Sequence, residues 1–265
     1  MIENVDYHIT DKCNLKCVSC NHFCPLVPDS VSHKSIEQIE KDLTALSKFR
    51  NYIRMITLLG GEPTLHPQLE EIIILTRKLF PSNQIYITTN GTRIDILEKC
   101  KDTIINNNIY ICLSKYPYCD NYEEKALKII NMFKDRCTVL NTVKMQKGPL
   151  VLRRSNTDDE ILHCRMRGWC CQLKDCRLYV CNFAAQINYL YDAFPFLKNY
   201  IYSGGYESID LLDEEIDITD IEQIMYSSIP GFCWACNECQ RWERSENMEY
   251  VDWKRSEKRI DEWVS

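Results

Sequence analysis

Short β-branched runs alternate with amphipathic helical stretches from residue 5 to residue 141, and no other feature limits the fold more. Residues 5–9, 53–59, 84–89, 109–114 and 137–141 read as strands, apolar enough for burial on both faces. Residues 35–49, 67–80, 93–107 and 122–134 read as helices between them. Ser35 offers an N-cap with Gln38 three residues on, the spacing of a capping box, and Pro67 suits a first helical turn. A βαβα succession implies an α/β fold on a parallel sheet, with its ligand site at the carboxyl ends of the strands. The rhythm stops at Lys147-Gly148-Pro149, a turn signal. Residues 1–150 are therefore expected as a core domain. Residues 160–243 are expected as a small α+β unit, with a strand pair at 173–180 and a helix after Cys181, and 244–265 as a C-terminal helix.

The chain has 265 residues, 45% hydrophobic and 26% charged, with a formal net charge of −6. Those are the proportions of an ordinary globular protein, and no global field draws it to nucleic acid. Arg153-Arg154 is followed by Asp158-Asp159-Glu160 and reads as a solvated loop. The start, Met1-Ile2-Glu3-Asn4, has no apolar signal region. Apolar stretches such as Ile72-Ile73-Ile74-Leu75 fall far short of the roughly 20 residues that span a bilayer. A cytoplasmic location without a membrane partner is expected. In a reducing compartment, 16 cysteines point to metal or redox chemistry rather than to disulfides.

Cys13, Cys17 and Cys20 follow the first strand directly, in Cys-Asn-Leu-Lys-Cys-Val-Ser-Cys. Three thiolates on one tight loop can ligate three irons of a cubane that ordinarily takes four cysteines, leaving one iron open. A zinc loop completed by Cys24 is the alternative, although structural zinc favours paired spacings. Leu58-Leu59-Gly60-Gly61-Glu62-Pro63 ends the second strand. Its glycines allow close backbone approach and its carboxylate can accept from an ammonium; a plain turn is the other reading. Thr88-Thr89-Asn90-Gly91 ends the third strand, as a ligand contact or a turn, and Leu113-Ser114-Lys115-Tyr116-Pro117 ends the fourth.

The Cys-x3-Cys-x2-Cys run after a first strand resembles the radical S-adenosylmethionine superfamily, whose fold is a partial (β/α)6 barrel. The resemblance covers about residues 5–140. It implies that Cys13, Cys17 and Cys20 hold a [4Fe–4S] cluster with an open iron site that chelates S-adenosylmethionine. Reductive cleavage then gives methionine and a 5′-deoxyadenosyl radical. It also implies that Gly60, Gly61 and Glu62 receive the methionyl amine, and that Asn90 and Ser114 contact the ribose or the methionyl carboxylate. Cys20-Asn21-His22-Phe23-Cys24-Pro25-Leu26 resembles a subgroup reading Cys-x-His-Phe-x-Pro-Leu, associated with surface-carbohydrate and small-molecule pathways. Ser19 stands where the family usually places an apolar residue against adenine.

Eight further cysteines fall between residues 164 and 239, with a Cys-x2-Cys knuckle at Cys233-Trp234-Ala235-Cys236. This part resembles the twitch extension of the superfamily, a shortened form of its longer two-cluster (SPASM) extension. Cysteines flanking a hairpin and a later knuckle there hold one auxiliary [4Fe–4S] cluster. The resemblance assigns Cys164, Cys181, Cys233 and Cys236 as ligands, with Cys170 as the alternative to Cys164. Cys176 stands where that hairpin normally has glycine. Eight cysteines also count out to two cubanes, but none follows Cys239, so one auxiliary cluster is expected. Cys100, Cys112 and Cys137 read as buried apolar positions.

Two substrate classes compete. One is a small polar molecule such as a sugar, aminocyclitol or nucleotide sugar, dehydrogenated or epimerised at carbon; known twitch enzymes include an aminocyclitol alcohol dehydrogenase. The other is a peptide or protein. With 12 residues before Cys13 a leader-binding domain is not expected, which favours the small molecule. An iron–sulfur carrier without catalysis is a third reading, and Gly60-Gly61-Glu62 argues against it. A reductant such as flavodoxin or ferredoxin is the implied partner. Cys119 and Cys239 are candidate hydrogen donors for epimerisation, Tyr116 and Tyr118 candidate substrate contacts, and His22 and His66 structural groups or catalysts.

Overall fold

The structure, a computed structural model, describes residues 1–116, 121–141, 144–148, 150, 168–169, 171–200, 208–226 and 249–264. Five parallel strands open the chain: β1 (Ile2–Thr10), β2 (Ile53–Gly60), β3 (Gln84–Thr89), β4 (Ile109–Lys115) and β5 (Cys137–Asn141). After β6 (Lys144–Gln146) come β7 (Cys171–Lys174), β8 (Arg177–Tyr179) and β9 (Ser208–Asp210). The main sheet has eight strands in the order β5-β4-β3-β2-β1-β7-β8-β9. β7 adds a sixth parallel strand beside β1, and β8 and β9 continue antiparallel. The hairpin expected in the small C-terminal unit is thus continuous with the core sheet.

Helices α1 (Ile36–Ser47), α2 (Leu69–Leu79), α3 (Ile94–Lys99), α4 (Lys101–Asn106) and α5 (Tyr122–Phe133) connect the parallel strands. Strand alternation sends Val5, Tyr7, Ile9, Ile56, Leu58, Ile85, Ile87, Ile111 and Leu113 into one apolar core. The helices supply Ile39, Leu43, Ile72, Ile73, Ile104 and Ile129 to it. The opposite face is not apolar, contrary to the reading of strands buried on both faces by hydrophobic contact. Asn4, Asp6 and His8 of β1 point that way, where Thr57 of β2 donates to Asn4 (2.8 Å) and Asn4 to Asp6 (2.8 Å). α6 (Asn182–Ala193) lies on this face, where Lys174 of β7 donates to Ala185 O (2.8 Å) and Gln186 meets His8 (3.1 Å). α7 (Ile218–Tyr226) returns to the apolar side through Ile221 and Met225.

Several local expectations change. Ser35 caps α1 by accepting from Gln38 N–H (3.2 Å), but the Gln38 side chain goes to Asp42 (2.7 Å), so only half of the box forms. Pro67 precedes α2 rather than entering its first turn. The 93–107 helix breaks at Cys100, where ψ is 2°, and the bend turns Leu97, Cys100 and Ile104 onto the core. Residues 250–264 are not a helix. β10 (Tyr250–Asp252) pairs antiparallel with β6, and a single 3-10 turn covers Ile260–Glu262. Backbone pairing with the first cysteine loop outweighs local helix propensity there: Val18 N donates to Lys254 O (2.9 Å) and Ser256 N to Lys16 O (2.8 Å). Among the described residues no helix is long and apolar enough to cross a membrane.

Asp42 joins the helical layer to the C-terminal hairpin. Its buried carboxylate accepts from Tyr7 OH (2.8 Å), Lys34 Nζ (3.0 Å), Gln38 Nε2 (2.7 Å) and Cys176 N (2.8 Å). Asp175 and Cys176 both have positive φ (50° and 58°), the backbone of a type I′ hairpin without its usual glycine. The bond to Asp42 holds that turn. Burial raises the Asp42 pKa, but Lys34 and the donors outweigh it and the net shift is downward. Its contribution to stability is therefore complete at neutral pH and is lost as the pH falls below roughly 4. Asp42→Ala should cost about 3–5 kcal/mol in urea unfolding at pH 7, because Lys34 and Tyr7 lose a buried partner. The gap between wild type and variant should narrow below roughly pH 4; a loss under about 1 kcal/mol at pH 7 contradicts this role.

Candidate active site

β1 ends at Thr10, and the chain turns at once into the loop carrying Cys13, Cys17 and Cys20. Lys16, Ser19 and Phe23 adopt positive φ of 52°, 52° and 54°. Each such non-glycine residue costs roughly 1–3 kcal/mol and persists where the surroundings enforce it. The end of β2 supplies that enforcement. Gly61 N donates to Thr10 O and Glu62 N to Lys12 O, both at 2.8 Å. A Cβ on Gly60 would stand 1.9 Å from Thr10 O, and one on Gly61 2.1 Å from Lys12 O. Only glycine permits this approach, and Gly60 also has a φ of +152°.

Glu62 is 1% exposed and is a bracket between strand ends. Its Oε1 accepts from Thr64 N (3.0 Å), Thr64 Oγ1 (2.6 Å) and Thr89 Oγ1 (2.7 Å), and its Oε2 from Asn90 N (2.7 Å). Burial raises its pKa against the pull of these donors. Asn90 in turn donates to Asn14 Oδ1 (3.0 Å) in the cysteine loop. The Tyr122 hydroxyl lies 3.0 Å from Asn90 O and 2.8 Å from Ser114 O. The ends of β1, β2, β3 and β4 are thereby fastened to one another, and the structure brings Gly60, Gly61, Glu62, Asn90 and Ser114 together with the cysteine loop.

Burial holds the Cys13 and Cys17 thiols up, to about 11 and about 12. The Cys24 thiol donates to His22 O (3.8 Å), and its pairing with Cys20 lowers Cys20 and raises Cys24. Tyr116, which follows β4, has its phenol raised well above the usual range, chiefly by burial. Among the described residues no three Cys, His, Asp or Glu side chains converge on a position for one metal ion; three loop cysteines match the ligand count of a cubane with one iron left open. The Ser19 hydroxyl is buried and has no hydrogen-bond partner among the described residues. Such an orphan fits a site that receives a polar ligand. The loop therefore fits a [4Fe–4S] cluster and a polar cosubstrate.

A buried polar network borders the loop. His8 meets Asp11 Oδ1 (2.7 Å) and His22 Nδ1 (2.8 Å), and Tyr189 of α6 donates to Asp11 Oδ2 (2.6 Å). Burial lowers both histidines, His22 to about 3, so the pair stays neutral. Both ring nitrogens of His66 are engaged: Gln68 N donates to its Nδ1 (3.1 Å) and its Nε2 faces Lys34 O (2.9 Å). Asp11, Asn14, Tyr189 and Trp253 were not singled out from the sequence. Their partners are distant in the chain, and no local pattern marks them. Cys181 stands at the N-terminus of α6. Cys164, Cys170, Cys233, Cys236, Cys119, Cys239 and Tyr118 lie outside the described residues.

The sequence pattern described as Radical SAM superfamily matches residues 7–145, and the chain belongs to that superfamily. Membership implies a [4Fe–4S] cluster and S-adenosylmethionine. The chain is similar to a probable GTP 3′,8-cyclase of Pyrococcus horikoshii, 30% identical over 60% of this chain and 50% of the cyclase. It is also similar to the antilisterial bacteriocin subtilosin biosynthesis protein AlbA of Bacillus subtilis, 33% identical over 37% of this chain and 22% of AlbA. The chain thus spans half the length of the cyclase and less of AlbA. The crystal structure of BtrN in complex with AdoMet and 2-DOIA shares the fold at a TM-score of 0.57 and 12% identity. That likeness covers 91% of this chain and 93% of BtrN.

Gly61→Ala tests the close approach. The added methyl meets backbone rather than a flexible side chain, so thermal unfolding should show a loss of about 1–3 kcal/mol or more. Wild-type stability in the variant contradicts the approach.

Proposed function

We propose that this chain abstracts hydrogen from a C–H bond of a small polar, hydroxylated molecule and carries it to net dehydrogenation, with epimerisation as the related outcome. The polar sheet face carries this reading. Asn4, Asp6, His8 and Thr57 line the side of the sheet away from the apolar core, where they hydrogen-bond to one another and to α6 and make that interior polar. The whole-length likeness to BtrN, seen with AdoMet and 2-DOIA, supports it. A second reading, action on a peptide, draws on the stretch shared with AlbA.

In this reading Cys13, Cys17 and Cys20 hold the first cluster, and Gly60, Gly61 and Glu62 receive the methionyl amine. Glu62 Oε2 accepts one hydrogen bond against three on Oε1, which keeps acceptor capacity for an ammonium. Asn90 and Ser114 face the ribose or the methionyl carboxylate, and the Ser19 hydroxyl gains the partner it lacks among the described residues. The bound cluster and cosubstrate supply one-electron cleavage of a C–S bond. With both groups bound, a carbinol would lose one hydrogen atom to the adenosyl carbon, one electron to an auxiliary cluster and one proton to water, and would leave as a carbonyl. Cys181, with Cys164 or Cys170, Cys233 and Cys236, holds that auxiliary cluster. An external flavodoxin or ferredoxin supplies the first electron.

Protein reconstituted without oxygen should carry about eight irons, and changing Cys13, Cys17 and Cys20 together to Ala should leave about four. About one zinc per chain with little iron contradicts the reading. Glu62→Gln should weaken S-adenosylmethionine binding about tenfold or more, since a charge-assisted bond contributes roughly 1.5–3 kcal/mol. Unchanged affinity removes Glu62 from the site. Cys236→Ala should release 5′-deoxyadenosine without carbonyl product, and full product from that variant excludes an electron-accepting auxiliary cluster.

A further inference from the structure

The three thiols of the first loop are not solvated alike. Cys13 accepts from the backbone N–H groups of Leu15 and Lys16, and Cys20 from Cys24 and the His22 backbone. These donors belong to the loop itself. The side-chain donor to Cys17 comes from the other end of the chain: Trp253 Nε1 donates to Cys17 Sγ at 3.0 Å. Trp253 reaches it because residues 253–256 lie along the loop as a strap. Cys17 bridges Arg255 in antiparallel fashion, and Val18 N to Lys254 O and Ser256 N to Lys16 O close the pairing on either side. Arg255 donates to Asn14 O (3.3 Å). Farther along, the buried Trp263 donates its indole N–H to Cys20 O (2.9 Å) and packs on Phe23.

We propose that Trp253 is a positioning residue that sets the reduction potential of the first cluster, by donating its indole N–H to the sulfur of Cys17. An N–H donor draws charge from a ligating thiolate and so favours the reduced, more negative cluster. Hydrogen bonds to sulfur and solvent exposure are levers on such potentials. The strap supplies both, since Trp253 donates to the sulfur while the paired backbone covers the loop. Because Cys17 takes its side-chain donor from a separate segment, any displacement of residues 253–256 changes the potential without touching a ligand. The inference rests on Cys13, Cys17 and Cys20 being the ligands.

The test is an EPR-monitored redox titration of the reconstituted full chain, the first cluster being identified by its change of signal on adding S-adenosylmethionine. Trp253→Phe keeps an aromatic ring and removes the donor. The expected result is an unchanged iron content and a midpoint shifted to more negative potential. An unchanged midpoint overturns the proposal. Site-directed incorporation of benzothienylalanine at position 253, which keeps the indole shape without the N–H, must give the same negative shift. A wild-type midpoint in that protein overturns the proposal even if Trp253→Phe fails to fold. The protein with Cys13, Cys17 and Cys20 changed to Ala separates the two claims. If it keeps the full iron complement, the ligand assignment has failed; if it loses one cluster, an unchanged midpoint in the Trp253 proteins counts against Trp253 alone.

Discussion

The close passage of Gly60 and Gly61 over Thr10 and Lys12 is the constraint on which the site depends. Side chains at either glycine would occupy the carbonyl oxygens of the opposing backbone. With them absent, two backbone hydrogen bonds fasten the cysteine loop to the end of β2. Glu62, the next residue, extends the frame to Thr89 and Asn90 at the end of β3, and Tyr122 carries it to Ser114 on β4. Four strand ends and the loop thus form one hydrogen-bonded unit. Its strained residues Lys16, Ser19 and Phe23 stay in place because the surrounding frame leaves no alternative.

The two faces of the sheet divide the labour. The apolar face packs α1 to α5 and provides stability, while the polar face carries a chain of hydrogen bonds from Thr57 through Asn4 to Asp6. α6 lies across this polar side and ties the C-terminal part to the cysteine loop and the end of β1, through Tyr189 to Asp11, Gln186 to His8 and Asn182 to Asn21 O (2.8 Å). The hairpin that precedes α6 is anchored in the helical layer by Asp42. The C-terminal unit is therefore held both through the sheet and through side chains that reach the strand ends.

The strand periodicity was legible because each parallel strand sends an unbroken apolar set into one core, as Ile85, Ile87, Ile109 and Ile111 do. The cysteine loop and Gly60-Gly61-Glu62 were legible because their spacing is local. Interactions between distant segments were not. The acidic and basic residues of 250–264 carry no signal that they will pair with residues 16–18, so a helix was the natural expectation. Asp42 reads as an ordinary helix carboxylate, yet it holds a turn 134 positions away in which Cys176 replaces the usual glycine. Nor could the sequence distinguish a carboxylate waiting for a ligand from Glu62 as found, already bonded to Thr64, Thr89 and Asn90.

The central proposal is that the loop of Cys13, Cys17 and Cys20 holds a cluster whose open iron takes the amino group of S-adenosylmethionine. Pulsed EPR of the reduced protein with cosubstrate labelled with nitrogen-15 at the methionyl amine addresses it directly. The account predicts a nitrogen hyperfine coupling to the cluster that appears on addition of cosubstrate and is missing when Cys13, Cys17 and Cys20 are changed to Ala. A reduced cluster with cosubstrate bound but no such coupling would contradict it.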